Sequence, residues 1–276
     1  MLEGLWSAAR AGPWWISWET FQLLAIVAGA LAIDASPRKA ARGESPPPER
    51  RAALTSYACG VACACLGGVV LGSWPGVVAW LSGAARRPEL EVAGFGALAG
   101  LSLGFAATWH ATSRARSFST RDGLDRLAPA IGPMLLFARL GCFVGGCDFG
   151  APTHAPWAMR FPAGTPAFRA QVEQGLVSPH ALATLAVHPA PLYEALVGLC
   201  LFALARCVGA GRRGRRFAAV LATYAVARLF LDGLRGDLPH GVLGLTSSQV
   251  LALAALAFAA ALAFTPPRPK AASTAT

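Results

Sequence analysis

Charged residues make up only 14% of this 276-residue chain, against 55% hydrophobic residues and a mean hydropathy of +0.49. Charge this sparse excludes an ordinary soluble domain and indicates a polytopic membrane protein. The seven cysteines show neither a zinc spacing nor a C-x-x-C; Cys59, Cys63 and Cys65 fall in one apolar run beside glycine and alanine and read as small packing residues. The net charge of +10 comes without aromatic interleaving of the basic residues, so no nucleic acid is expected and an anionic lipid surface is the expected counterpart. No internal repeat argues for an inverted-repeat transporter. Residues 1–13 carry Glu3 and Arg10 and no A-x-A-like site follows, so the first apolar run is expected to be a retained span.

What the chain does have is apolar length. Seven runs are long enough, or nearly so, to cross a hydrocarbon core of about 30 Å: 14–33, 54–71, 92–109, 127–144, 192–208, 217–231 and 250–264. Trp14, Trp15, Trp80 and Trp109 lie at or near run ends, as an interfacial belt would place them. Of the 24 Lys and Arg, 16 fall in one alternating set of connections and the tail, 6 in the other set, and two inside runs. The positive-inside rule then predicts the N-terminus outside and the C-terminus inside, with the long 145–191 loop outside. The expected fold class is therefore all-α, with about seven transmembrane helices forming a single domain over residues 1–265. Residues 45–51, S-P-P-P-E-R-R, read as a Pro-rich connection, and residues 266–276 as a disordered cytoplasmic tail.

The two arginines inside runs are Arg139 and Arg228. A charge at that depth costs about 2.5 to 3.5 kcal/mol on insertion scales, which makes each a candidate functional residue. Both fall towards the outer ends of their runs, where they can face one pocket. A guanidinium binds phosphate bidentately and stays charged when partly desolvated, so the pair suits a phospholipid head group. The competing reading for Arg228 is an i, i+4 ion pair with Asp232. A second dense cluster is V-H-P-A-P-L-Y-E over 187–194, where two prolines break the chain before a span and bring His188, Tyr193 and Glu194 to its mouth. Glu194 there is placed to pair with a buried arginine.

These residues resemble the prolipoprotein diacylglyceryl transferases. The family signature G-R-x-G-N-F-x-N-x-E-x-x-G is matched over 138–150 at Arg139, Gly141, Phe143 and Gly150. The family's H-P-x-x-L-Y-E is matched by His188, Pro189, Leu192, Tyr193 and Glu194, and its Y-x-x-x-R by Tyr224 and Arg228, followed by Asp232 and Arg235. The pair Ser248–Gln249 opening the last run also fits. Several polar positions depart: Cys142, Gly145 and Cys147 replace two asparagines and a glutamate, and Phe95 stands in the slot of a histidine. Glu19 and Val69 stand where the family has a tyrosine and an arginine.

The resemblance implies an enzyme of a bacterial inner membrane that needs no cofactor or metal. It would act as a monomer on phosphatidylglycerol and the lipobox segment of a prolipoprotein, moving a diacylglyceryl group to the lipobox cysteine thiol. Arg139 and Arg228 would carry the catalysis, with Gly141, Gly150, His188, Tyr193, Glu194, Tyr224, Asp232 and Arg235 binding substrate or supporting them. With Phe95 in the histidine slot the base is left among Glu19, Asp148, His154 and the phosphate itself. Two alternatives stand beside this reading: a catalytically inactive relative that binds phospholipid or lipoprotein, and a membrane thiol oxidoreductase using Cys142 and Cys147. That cysteine pair reads equally as a structural disulfide or as two small residues filling space.

Overall fold

A computed structural model of the chain describes residues 17–34, 47–82, 94–113, 119–208, 213–236 and 245–264. Among these residues the fold is all-helical and contains no strand. Seven helices answer to the seven apolar runs: α1 Trp18–Asp34, α2 Pro47–Leu81, α3 Gly94–Ser113, α4 Thr120–Gly145, α6 Ala190–Cys207, α7 Arg215–Leu231 and α8 Ser247–Phe264, with the short α5 Pro166–Glu173 between α4 and α6. Among the described residues, three helical stretches are long and apolar enough to cross a membrane: Thr120–Gly145, Ala190–Cys207 and Arg215–Leu234. Trp18–Ile33 and Ser248–Phe264 are shorter apolar helices. The 35-residue α2 is longer than the run 54–71 at both ends. Its first residue, Pro47, belongs to the stretch expected to be a connection. Proline suits a first helical turn, where its missing N–H leaves no bond unmade. The tail 266–276, Trp14, Trp15 and the side chains of Phe95 and Trp80 lie outside the described residues.

Helix α4 is the hub, touching α1, α2, α3, α6 and α7. Its contact with α6 is backbone against backbone. A Cβ on Gly132 would sit 2.5 Å from the Phe202 nitrogen and 2.6 Å from the Gly198 carbonyl oxygen, and one on Gly198 would sit 2.7 Å from the Leu136 nitrogen. Small residues at such a crossing let two apolar helices gain dispersion contacts that lipid would otherwise supply. Below this crossing the main core gathers Phe105, Trp109, Leu127, Leu201 and Phe217, all buried. Trp109 turns inward rather than joining an interfacial belt: its ring stacks on Phe105 at 6.0 Å, lies against Gly123 and donates its indole N–H to the Ser119 carbonyl at 3.1 Å.

The far end of the bundle is locked by one carboxylate. Asp125 on α4 is buried and accepts from the Gly214 N–H at 2.8 Å and the Phe217 N–H at 3.0 Å, capping the start of α7. Those N–H groups have no intrahelical partner, so a side-chain acceptor there fixes where α7 begins. Arg216 adds two bonds to the Val208 carbonyl, tying α7 back to the end of α6. Because α7 carries Arg228 four turns later, Asp125 sets the axial position of a residue at the opposite end.

Residues 146–189 build a small second core of Phe149, Met159, Phe161, Ala167 and Val187 against the end of α4. Isolated bridges join Pro152 and Met159 to Val187, and Pro162 to Ala183. Thr165 caps α5 by accepting from the Phe168 N–H at 3.3 Å. Asp125→Ala is expected to lower the stability of the detergent-solubilised protein by about 2 kcal/mol, since two buried donors lose their acceptor. A thermal midpoint equal to that of the parent protein would contradict this account.

Candidate active site

Three helix ends converge at one end of the bundle. Helix α4 brings Arg139 and then stops at Gly146, whose left-handed backbone (φ 72) lets its N–H reach the Cys142 and Phe143 carbonyls. Helix α6, opened by Pro189 and Pro191, brings Glu194 within its first turns. Helix α7 brings Tyr224 and Arg228, and the 3-10 turn Asp232–Leu234 brings Asp232 and, just beyond it, Arg235.

The side chains interlock as three guanidiniums and three carboxylates. Arg139 Nε lies 2.7 Å from Glu194 Oε2, while its Nη1 donates to Asp148 Oδ2 at 2.7 Å. Arg228 Nη1 lies 3.0 Å from Glu194 Oε1, and its Nη2 lies 2.6 Å from Asp232 Oδ1. Arg235 Nη1 reaches Glu194 Oε1 at 3.4 Å, and its Nη2 donates to Asp148 Oδ1 at 2.5 Å. The i, i+4 pair of Arg228 with Asp232 therefore exists, but as one edge of a network whose centre is Glu194. Glu194 is met by all three arginines and is 1% exposed. Asp148 is the carboxylate that reaches the surface, with 26% of its side chain exposed against 2% for Glu194 and 0% for Asp232. Burial pushes the Asp148 carboxyl pKa up, but the guanidiniums of Arg139 and Arg235 outweigh it and hold the group below the usual carboxylate range.

A further shell fixes the network. Asp232 accepts from the Thr246 hydroxyl at 3.1 Å and from the Ser248 hydroxyl. Thr246 and Gln249 form a reciprocal capping box on α8: the Gln249 N–H meets Thr246 Oγ1 at 3.1 Å, and the Thr246 N–H meets Gln249 Oε1 at 3.0 Å. Gln249 Nε2 also donates to the Leu229 carbonyl at 3.3 Å. The fit of Ser248–Gln249 to the family pattern thus has a mechanical reason. Thr246 was not singled out from the sequence, although T-S-S-Q ahead of an apolar run is the spacing of a capping box and carried the signal.

His188 and Tyr193 occupy a separate place at the rim. Their Nδ1 and hydroxyl lie 3.1 Å apart, and the Trp157 indole N–H donates to the same hydroxyl at 2.6 Å. Tyr224 is buried on α7 one turn before Arg228. Cys142 and Cys147 are thiols, not a disulfide. Cys147 Sγ lies 3.6 Å from the Cys142 carbonyl oxygen, and a hydrogen bond with the Cys142 thiol is the leading cause that lowers the Cys147 pKa. Their sulfurs and the Asp148 carboxylate approach within 4.8 Å of one another. Two guanidiniums already hold that carboxylate, so the trio is a poor fit for a metal ion. Of the candidate bases, Glu19 and His154 are exposed, and Asp148 is a weak base between two cations.

The model of the family described as prolipoprotein diacylglyceryl transferase matches residues 9–265. The chain belongs to this family. A Clostridium tetani phosphatidylglycerol--prolipoprotein diacylglyceryl transferase is 27% identical over 192 residues, covering 68% of this chain and 72% of that protein. The protein of that name from Nitratidesulfovibrio vulgaris is 34% identical over 55% of this chain and 53% of its own length. The one from Xanthomonas oryzae pv. oryzae is 36% identical over 51% of each. The match thus spans about half the length of the latter two relatives.

Both signature glycines sit where a side chain has no room. A Cβ on Gly141 would lie 2.9 Å from Phe21 Cβ, at the packing of α1 on α4. A Cβ on Gly150 would lie 2.5 Å from His188 Cβ, 2.6 Å from the His188 carbonyl oxygen and 2.9 Å from the Leu234 carbonyl oxygen. Gly150 is the point where three segments meet: its N–H donates to His188 O at 3.0 Å, and the Ala151 N–H donates to Leu234 O at 2.7 Å. Widening that junction pulls Asp148, Glu194 and Arg235 apart together. Gly150→Ala is expected to destabilise the protein by roughly 1–3 kcal/mol through overpacking and to weaken phospholipid binding with it. Unchanged stability and unchanged binding would show that the junction yields without cost.

Proposed function

We propose that the chain transfers a diacylglyceryl group from phosphatidylglycerol to the lipobox cysteine thiol of a prolipoprotein. The observation that carries this reading is the buried arginine–carboxylate network, five of whose six members, Arg139, Glu194, Arg228, Asp232 and Arg235, match the family's motifs. In the reaction the acceptor sulfur forms a bond to the terminal glyceryl carbon of the diacylglycerol unit. The bond from that carbon to the phosphate oxygen breaks, the electron pair leaves with glycerol phosphate, and the thiol proton passes to the departing phosphate or to solvent. The phosphate gains negative charge as the bond breaks. Guanidiniums fixed in a water-poor pocket stabilise that charge without reorganising, and sparing the thiolate a full hydration shell leaves it the stronger nucleophile.

Arg139 and Arg228 serve as the charge-stabilising pair in this reading, with Glu194 and Asp232 holding their forks in place and Arg235 beside them. Tyr224, Gly141 and Gly150 shape the wall of the site, and His188 with Tyr193 lines its rim. The matched relatives act, by their names, on phosphatidylglycerol and prolipoprotein, and the same substrates are proposed for this chain. The protein would sit as a monomer in a bacterial inner membrane, crossing it seven times with the N-terminus outside and the C-terminus inside. Residues 1–265 would form its single domain, with the 145–191 loop on the outer side and residues 266–276 as a cytoplasmic tail. This orientation puts the network on the side where a secreted prolipoprotein presents its lipobox.

The purified protein is expected to move labelled lipid from phosphatidylglycerol to a lipobox peptide, and Arg139→Ala or Arg228→Ala to lower the rate by about 10²-fold or more. Normal turnover in both variants would sink the mechanism. Topology is tested separately: in spheroplasts a membrane-impermeant maleimide is expected to label the Ser178→Cys variant above the parent background. Labelling only after lysis would reverse the orientation.

A further inference from the structure

Arg139 and Arg235 are arranged as a clamp with two ends. At the inner end both guanidiniums turn a nitrogen to Glu194, which is sealed from solvent. At the outer end each turns another nitrogen to Asp148, Arg139 to Oδ2 and Arg235 to Oδ1. The two oxygens of one carboxylate thus take one donor from each arginine, the pattern in which two guanidiniums would share the two free oxygens of a phosphodiester. Arg228 is placed differently, between two carboxylates that are both buried.

Asp148 also differs from the other acids of the network in how it is held. It is borne by the turn after α4, not by a helix, and its backbone adopts φ 54, the left-handed region that an aspartate enters only occasionally. Its flanks are fixed: Gly146 by the helix cap, and Gly150 by the junction with His188 and Leu234. Asp148 is therefore a single residue turned inward between two anchors, with a quarter of its side chain still exposed. It can leave the clamp by a local rotation without disturbing Glu194 or Asp232.

We propose that the clamp of Arg139 and Arg235 is the landing site for the phosphodiester of an anionic phospholipid, and that Asp148 is its resident counter-anion, displaced when the lipid binds. The site then never exposes two bare guanidiniums to the membrane, and the lipid meets donors already aimed at two oxygens. The cost is competition: lipid affinity is reduced by the fraction of time Asp148 fills the clamp. The proposal rests on the phosphatidylglycerol reading above, but it concerns binding and not transfer.

The test is equilibrium binding of fluorescent phosphatidylglycerol to the full-length protein in nanodiscs of zwitterionic lipid, with no acceptor peptide present. Asp148→Asn keeps the size and the tolerance for left-handed backbone but not the charge, and is expected to bind roughly three- to tenfold tighter than the parent, as removal of an internal competitor requires. Asp148→Gly, which also frees the backbone, is expected to bind tighter as well. Asp148→Glu is expected to stay near the parent value, and Arg235→Gln to lose binding. Equal or weaker binding in both Asp148→Asn and Asp148→Gly overturns the proposal and makes Asp148 a positioning residue for Arg139. Parent protein that shows this binding pattern without transferring lipid to a lipobox peptide would overturn the transferase reading and leave the clamp standing. Transfer by the parent without tighter binding in the variants would do the reverse.

Discussion

Three guanidiniums among apolar helices persist only because three carboxylates meet them there, and this balance is the constraint on which the rest of the fold depends. A buried ion loses several kcal/mol of solvation, and a pair recovers it only if the geometry is good on both sides. Glu194 carries the heaviest share, since its two oxygens face Arg139, Arg228 and Arg235 within 3.4 Å. Those three arginines come from α4, from α7 and from the segment after α7. No two of them can be positioned independently: a shift in any one element strands charge on the others, at a cost of roughly 3–5 kcal/mol for an unpaired partner. The network is a weak source of net stability and a strong source of registry.

Registry has to be delivered by parts that carry no charge at the site. The backbone contact at Gly132 and Gly198 sets the depth of α4 against α6 and so the distance from Arg139 to Glu194. Asp125 sets where α7 starts and hence the level of Arg228. The capping box of Thr246 and Gln249 starts α8 at the level of Asp232, and Thr246 and Ser248 then hold the carboxylate that faces Arg228. The second core of residues 146–189 returns the chain so that Gly150, His188 and Leu234 touch. Each device uses few residues, because backbone groups in a helix bundle are already bonded and only the ends remain to be fixed.

The apolar runs made the seven helices legible, since length and hydropathy follow from composition alone; their ends were less so. Pro47 opens α2 because a proline run ahead of a helix is as compatible with a first turn as with a linker, and only packing chooses. Arg139, Arg228 and Glu194 stood out as charge in apolar surroundings, and their pairing is the solution the cost of burial demands. Asp125 and Thr246 did not stand out. An aspartate near the start of a helix and a threonine before one are ordinary surface caps by sequence; that Asp125 caps a different helix, 89 residues away, is information held only in the packing. Cys142 and Cys147 were open between a structural disulfide, a redox-active pair and filler, and the structure keeps them as thiols beside the network.

The stretch after Arg139 shows how a charge-balanced site tolerates lost polar residues. Cys142, Gly145 and Cys147 bring no charge to a place where the family signature carries amides and an acid, yet the network remains balanced because Asp148, next along the chain, turns in through a left-handed backbone. Electrostatic balance requires a carboxylate near Arg139 and Arg235 but does not specify which residue of the turn must supply it. Helical positions have no such freedom: moving Glu194 or Arg228 by one residue rotates the side chain by about 100° around its helix and out of the site. Arg139, Glu194 and Arg228, the charged signature positions this chain keeps on its helices, are accordingly those where geometry allows one choice. The acid that has shifted, from the signature position of Cys147 to Asp148, lies in the turn, where charge matters more than address.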